Sequence, residues 1–311
     1  MASFALEHPW ALTPAYRAIV ANVIARRLAG LEADPADLEL AARGRDARPA
    51  PPEPRRGPLA ILPVYGVLVP RATLFSDVSG VSAVDDLASA VTEAAADRTV
   101  DTIVLDVDSP GGNVAGCLEA AAAIREARAV KPVIAVARYT MASAAYWLAA
   151  QASEVIASPS ARVGSIGVFA IHNDISAALA QLGIARTYVF RGEHKIDGHE
   201  AAPLTEEARA ELQSTVDRAY EAFTGDVAAG RRVEPARVRE GGYGAGRTLP
   251  AAEALELGLV DRIATFDATI ARLEARTAPP LATVPRLAGA EAVACNATYR
   301  ALMAAHLGVS L

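Results

Sequence analysis

Of the 30 basic residues in this 311-residue chain, 28 are arginine and only Lys131 and Lys195 are lysine. Guanidinium does not give up its proton under ordinary conditions and ammonium can, so a lysine kept against that bias is a candidate for a place where a removable proton is useful, the alternative being codon drift that spared two lysines. Lys195 lies in Gly192-Glu193-His194-Lys195-Ile196-Asp197-Gly198, a loop bounded by glycines. A lysine working as a general base needs its pKa brought from about 10.4 to about 7–8 by burial away from carboxylates. In that reading Glu193 and Asp197 must face elsewhere. Lys131, in Val130-Lys131-Pro132 at a strand entrance, takes the structural reading.

A base of this kind needs a nucleophile, and the candidate is Ser143 in Thr140-Met141-Ala142-Ser143-Ala144-Ala145-Tyr146-Trp147. The serine is flanked by alanines and opens a helix after a strand, which sets the hydroxyl near the positive helix end with room for a substrate chain and aims the Ala144 N–H the same way. Oxyanion donors are offered by Asp106-Val107-Asp108-Ser109-Pro110-Gly111-Gly112-Asn113-Val114, read as a glycine turn that leaves bare N–H groups facing outward. A third segment, Val163-Gly164-Ser165-Ile166-Gly167-Val168, places glycines three apart. Neither it nor Gly241-Gly242-Tyr243-Gly244-Ala245-Gly246 has the strand-turn-helix context of a dinucleotide fingerprint, so no cofactor is expected.

These residues need a scaffold, and the apolar periodicity describes one. Strands are predicted at Leu59 to Tyr65, Thr102 to Val107, Pro132 to Ala137, Glu154 to Ala157, Val163 to Ala170 and Thr187 to Arg191. Helices are predicted at Val84 to Ala96, Val114 to Ala129, Ala142 to Ala152, Ile175 to Leu182, Thr205 to Ala229 and Pro250 to Leu257. The alternation implies parallel pairing in an α/β domain, and its paired strands suit a spiral of β-β-α units. Ahead of it, Thr13 to Leu28 has helical spacing, whereas Arg43 to Pro58 holds five prolines and five arginines and reads as a linker. The expected organisation is a helical appendage over 1–42, a linker over 43–58, the main domain over 59–275 and a tail over 276–311, with a short helix at Ala290 to Leu307.

Taken in order, Ser-Pro-Gly-Gly at 109–112, the serine-helix motif around Ser143, Gly-Ser-Ile-Gly at 164–167 and Gly-x-x-Lys-x-x-Gly at 192–198 resemble peptidase family S49, the signal peptide peptidases and their phage relatives. The likeness spans roughly Leu59 to Ile263 and closes with Gly246-Arg247-Thr248 and Ala-Leu-Glu-Leu-Gly-Leu-Val-Asp at 254–261. It implies a fold similar to that of Clp protease and crotonase, and a serine–lysine dyad. In that dyad Ser143 is the nucleophile, Lys195 the base and Ser165 the residue that orients the lysine. The N–H groups of Gly112, Gly111 and Ala144 make the oxyanion hole. Ala144-Ala145 stands where the family usually has Gly-Gly, and Tyr146 and Trp147 replace its tyrosines. The opening Glu7-His8-Pro9-Trp10-Ala11-Leu12-Thr13-Pro14-Ala15-Tyr16 and the Gly-Glu-His-Lys-Ile-Asp-Gly loop resemble the phage head-assembly branch of the family. Capsid or scaffold proteins are therefore the expected substrates, and a homo-oligomer the expected state.

Composition narrows the field further. The chain is 52% apolar with 21% charged residues and a net charge of −6, enough for a real core. It holds 71 alanines and only 5% aromatics, so that core is close-packed Ala, Val and Leu. No apolar run reaches membrane-spanning length and the start lacks a signal-peptide pattern, so a cytoplasmic or prohead location and no membrane partner are expected. Mild acidity without a basic face argues against nucleic acid. Cys117 and Cys295 form neither a disulfide framework nor a metal cluster. Competing readings are a Ser-His-Asp site using His172 with Asp174 or Asp197, crotonase-like acyl-CoA chemistry, a signal-peptide-degrading peptidase of the host, and a non-catalytic head or scaffold-interaction protein.

Overall fold

The computed structural model describes residues 10–12, 54–71 and 81–277. The chain divides into two compact units at Glu274/Ala275, and the sheet and the candidate site belong to the first. The helices expected over Thr13 to Leu28 and Ala290 to Leu307, most of the expected appendage and linker, and Cys295 lie outside the described residues.

Five of the six strand-forming runs seen in the sequence assemble, with five further short strands, into one sheet. Strands β1 (Trp10–Leu12), β2 (Arg55–Arg56), β3 (Leu59–Val69), β4 (Val81–Ala83), β5 (Thr102–Asn113), β6 (Val133–Ala142) and β7 (Glu154–Ala157) are joined by β8 (Arg162–Gly164), β9 (Thr248–Pro250) and β10 (Arg262–Ile263). The central order is β10-β7-β6-β5-β3-β2, parallel throughout except for the β2 edge. Parallel neighbours need crossovers, and these are α1 (Val84–Ala96), α2 (Cys117–Val130) and α3 (Ala144–Ala149). Further along the chain come the short α4 (Ser176–Gln181) and the long α5 (Glu206–Arg231). Strand β4 pairs only with the C-terminal end of β3, and β8 with the C-terminal end of β6, so strand pairs precede helices as the α/β reading requires.

Both faces of the sheet are covered, which is why its strands read as near-continuous apolar runs. On one face Val64, Leu105, Val107, Ala135 and Ala137 meet α1, α2, α3 and α5. On the other, Leu59, Ile61, Val104, Ile134, Val136 and Ile156 meet Phe266, Ile270 and Leu273 of a terminal helix (Phe266–Thr277). That helix is absent from the sequence-based expectation, although its apolar residues recur at helical spacing. Burying each contributes roughly 1.5–3 kcal/mol, and with one apolar stripe it covers a whole face. The alanine count has a structural use: Ala120, Ala121 and Ala127 of α2 are buried, so the helix backbone lies close to its neighbours. Cys117 is buried there too, which pushes its thiol up to about 12.

Several boundaries differ from expectation. Ser-Pro-Gly-Gly is not a turn but the last part of β5, which runs on to Asn113, and α2 starts only at Cys117. Its register against β6 shifts between Val107 and Ser109, and this break admits Pro110, which has no N–H to give a ladder. The strand expected over Val163 to Ala170 stops at Gly164, because Gly164 and Ser165 adopt φ 109 and 56 and turn the chain out of the sheet. Thr187 to Arg191 forms no strand; its apolar residues find no sheet edge and lie in solvent. At the other end, Gly57-Pro58 turns Arg55–Arg56 back onto Leu59–Ala60, so the stretch read as linker supplies an edge strand, and Trp10–Leu12, inside the expected helical appendage, supplies another strand of the sheet. Arg55 is held there by Thr99 and Asp97. Among the described residues no helix is long and apolar enough to cross a membrane.

Candidate functional site

The site is built where β5 and β6 end side by side, with Ser109 opposite Met141. Two residues beyond Met141 the chain turns sharply at Ser143 (φ 56, ψ −123) and enters α3. A non-glycine residue at positive φ is strained by about 1–3 kcal/mol, and the surroundings hold it in place. The Ser143 N–H donates to Gly164 O at 2.7 Å, and Ser143 O accepts from the Trp147 N–H at 2.9 Å. Behind it the helix is anchored in the core. Trp147 stacks on Phe223 at 4.6 Å and donates through Nε1 to Asp226, and the Tyr146 hydroxyl donates to Leu259 O at 2.8 Å. Both rings therefore support the elbow from below, and burial pushes the Tyr146 phenol far above its ordinary range. What the elbow presents is the Ser143 hydroxyl, buried and with no hydrogen-bond partner among the described residues. A buried hydroxyl left unsatisfied costs about 1–3 kcal/mol, so its retention asks for a use.

The neighbouring motifs each acquire a position. Ser165 is buried, also at φ 56, and its N–H donates to Arg247 O at 2.8 Å, so the Gly246-Arg247-Thr248 motif holds the strand end that in turn holds Ser143. In Ser-Pro-Gly-Gly, the Ser109 hydroxyl donates to Gly66 O at 2.6 Å and accepts the Gly111 N–H at 3.1 Å, pinning the irregular stretch of β3. The Gly111 donor is thus already engaged, while Gly112 stands in β5 between Leu68 of β3 and Ala11 of β1, and Ala144 opens α3. Gly112 must be glycine: a Cβ there would stand 1.9 Å from Leu68 O.

A buried ion cluster that the sequence does not announce, although Asp106 leads the Ser-Pro-Gly-Gly stretch by three residues, ties the three site strands together. Asp106 of β5 is fully buried; it accepts from Arg138 of β6 at 2.7 and 2.8 Å and from the Tyr65 hydroxyl of β3. Arg138 also covers the Phe266 ring at 3.9 Å. Burial and Asp106 together drive the Tyr65 phenol well above its normal range. The signal was available in three polar residues inside otherwise apolar strands, but nothing in the sequence said they would meet.

The structure does not bring Lys195 to Ser143. Lys195 is exposed on the 192–198 turn, in an open groove it shares with Ile171, His172, Tyr188, Phe190 and Ile196. The Ser143 hydroxyl has no partner among the described residues, Lys195 included. Of the two carboxylates expected to face elsewhere, Glu193 and Asp197, the latter accepts from His194 Nδ1 at 2.9 Å, which raises the His194 pKa. The competing base is also placed. His172 faces Gly198 O and Ala202 O at 3.2 and 3.3 Å through its two ring nitrogens, so it braces this loop and does not reach Ser143. Asp174 caps α4 by accepting from Ser176 N. Lys131, given the structural reading, donates to Ala94 O at 3.0 Å and to Asp97 O, capping the C-terminal end of α1.

A strained strand-to-helix elbow with an unsatisfied serine hydroxyl, beside glycine N–H donors at the ends of parallel strands, is the arrangement of α/β proteins that use a serine nucleophile. Residues 125–278 match the family described as Peptidase family S49, and the chain belongs to that family. It is 34% identical over 278 residues to capsid assembly protease C of Escherichia phage lambda, an alignment covering 85% of this chain and 62% of that protein. It is 38% identical over 170 residues to head-tail preconnector protein GP5 of Enterobacteria phage P21, covering 55% of this chain and 34% of that protein. The chain thus spans less than two thirds of the length of either relative. Among solved structures, a ClpP1 mutant from Listeria monocytogenes aligns with a TM-score of 0.40 and 16% identity, over 66% of this chain and 91% of that one.

Proposed function

We propose that this chain is a serine endopeptidase that cleaves capsid or scaffold proteins during assembly of a phage-type head, with Ser143 as nucleophile and Lys195 as general base. The observation that carries the reading is the Ser143 hydroxyl: buried, unsatisfied and on a residue at positive φ whose backbone N–H and carbonyl are both hydrogen-bonded. In the reaction Ser143 Oγ attacks the scissile carbonyl while the lysine amine takes its proton. The resulting oxyanion is held by the Gly112 and Ala144 N–H groups, and the lysine then protonates the leaving amine. Water, deprotonated by the same lysine, hydrolyses the acyl-enzyme. In this reading Ser165, buried one residue past the Gly164 carbonyl that holds Ser143, orients the incoming lysine. The chemistry needs no metal or cofactor.

Lys195 has to be delivered, and the segment that carries it supports a delivery step. Val189 is 96% exposed, and Leu182, Ile184 and Phe190 are each about half exposed or more. Such a cluster of large apolar side chains on one segment is a surface for association. In our reading, copies of the chain associate through it, and the assembled form brings a lysine to each serine. Lys195 is preferred to His172, whose ring nitrogens face the Gly198 and Ala202 carbonyls of the loop at 3.2 and 3.3 Å, where a neutral imidazole donates to one of the two. The test is mass spectrometry of head proteins coexpressed with wild type, Ser143→Ala and Lys195→Ala. Defined cleavage products are expected with wild type alone, and the same products from Lys195→Ala would overturn the dyad.

A further inference from the structure

Strand β5 outlasts its neighbour. Strand β6 accompanies it only to Ser109 opposite Met141, then leaves through Ser143 into α3. On the other edge β3 continues, with Val67 and Leu68 opposite Gly111 and Gly112. The edge that β6 gives up is nevertheless occupied. Trp10, Ala11 and Leu12 pair antiparallel with Asn113, Gly112 and Gly111. A strand has two edges and β3 fills one, so β1 lies on the edge where the Ser143 elbow stands. It runs from Asn113 toward Ser109, so its C-terminal end points to the level of the elbow. A peptide bound with that polarity would lay its N-terminal portion along β5 and carry the carbonyl that follows toward Ser143. The chain has placed a piece of itself where an acyl donor would lie, against the very glycines expected to supply the oxyanion hole.

We propose that Trp10–Leu12 is a built-in occupant of the peptide-binding edge of β5, and that a substrate segment binds by displacing it. The word substrate rests on the peptidase reading above; the exchange of one strand for another on this edge does not. Recognition through an added strand uses main-chain hydrogen bonds, so the displacing ligand is an extended, unfolded polypeptide segment rather than a folded surface. Three paired residues make a short ladder that another strand can replace. An intramolecular strand competes at an effective concentration on the order of millimolar, so it keeps weak or short peptides out.

The test uses the full chain with Ser143→Ala, so that a bound peptide is not consumed. A labelled peptide of residues 7–16 is titrated by fluorescence anisotropy into this protein and into the same protein carrying Ala11→Pro and Leu12→Pro, which remove two strand N–H groups. If the edge is free at most a tenth of the time, the proline variant should bind the peptide at least about tenfold more tightly. The same two prolines placed in the peptide should abolish binding. Equal affinity for the two proteins overturns the proposal, as does undiminished binding of the proline peptide. Should the proline variant fail to fold, hydrogen exchange in the Ser143→Ala chain decides the matter. Excess peptide should speed exchange at residues 10–12 while 111–113 stay protected; unchanged exchange at 10–12 overturns displacement. If the wild type cleaves nothing, the peptidase reading falls, and these binding measurements still stand or fail by themselves.

Discussion

The two halves of the proposed dyad sit in unlike parts of the molecule. The serine half is a junction of parallel strand ends with helices packed behind it: Ser143 and Ser165 are buried, their backbone N–H groups have fixed acceptors, and the Asp106–Arg138–Tyr65 cluster ties β3, β5 and β6. The lysine half, residues 183–199, has no strand or helix, presents Val189 and Phe190 to solvent, and is held by turn hydrogen bonds and the His172 contacts. One region is pre-organised by the fold of a single chain; the other has a sequence that asks for a partner. Nucleophile and oxyanion donors must be placed to within a fraction of an ångström, which a core can do. In the proposed reading, a base brought in by association would let assembly switch the chemistry on.

The largest expected effect breaks the comparison at its chemical centre. Ser143→Ala and Lys195→Arg should each lower cleavage of a head-protein substrate by at least about 10³-fold, with helical circular dichroism unchanged. Arginine keeps the charge and lacks the removable proton, so an active Lys195→Arg protein would show that the lysine half contributes only charge. Next comes stability of the serine half. Arg138→Met leaves the fully buried Asp106 carboxylate without its cation and should cost about 3–5 kcal/mol in urea unfolding. A loss below about 1 kcal/mol would mean that the cluster does not hold the strands.

Charge placed on the lysine half should act differently. Val189→Asp with Phe190→Asp should leave monomer stability within about 0.5 kcal/mol, as for other exposed positions, while shifting sedimentation toward the monomer and suppressing cleavage. Full activity in a monomeric double variant would show that a single chain can close on itself.

The smallest effects are in pH, and the two regions respond with opposite sign. Asp261 is partly desolvated, which raises its pKa, but hydrogen bonds from Arg231 and the Val155 N–H outweigh this and hold it below the ordinary range. A lowered carboxylate contributes stability that is present above its unfolded pKa and lost as pH falls through the folded value, so Asp261→Asn should flatten the acid limb of unfolding. His194 is raised by its hydrogen bond to Asp197. That contact is fully present below the usual histidine pKa of about 6.5 and is lost as pH rises through the folded value. Limited proteolysis within 192–198 should therefore quicken from pH 6 to pH 8, and less so in Asp197→Asn; equal cleavage at both pH values would remove this lock from the loop.

The starts of β3, β5 and β7 and the full span of α1 could be read directly, and the start of β6 to within one residue, because apolar runs between polar breaks are local signals. Ends were harder. Nothing local distinguishes a glycine turn after Val107 from a strand that continues to Asn113, since the difference is the presence of β3 and β1 alongside. The alternation at Thr187 to Arg191 is strand-like, yet a strand needs an edge, and among the described residues none pairs with it.

By itself, then, the sequence determined the α/β class, the core strands and the residues to suspect, since composition, periodicity and motif order are properties of the chain read in line. Only the tertiary structure decided that Ser143 is buried and unsatisfied, that Gly111 is already engaged, that Trp10–Leu12 lies on the glycine edge and that Lys195 stands apart from the serine. Those facts depend on which backbone groups meet across large sequence separations. Hydrogen-bond satisfaction and burial are settled by those meetings, whatever the order of residues suggests.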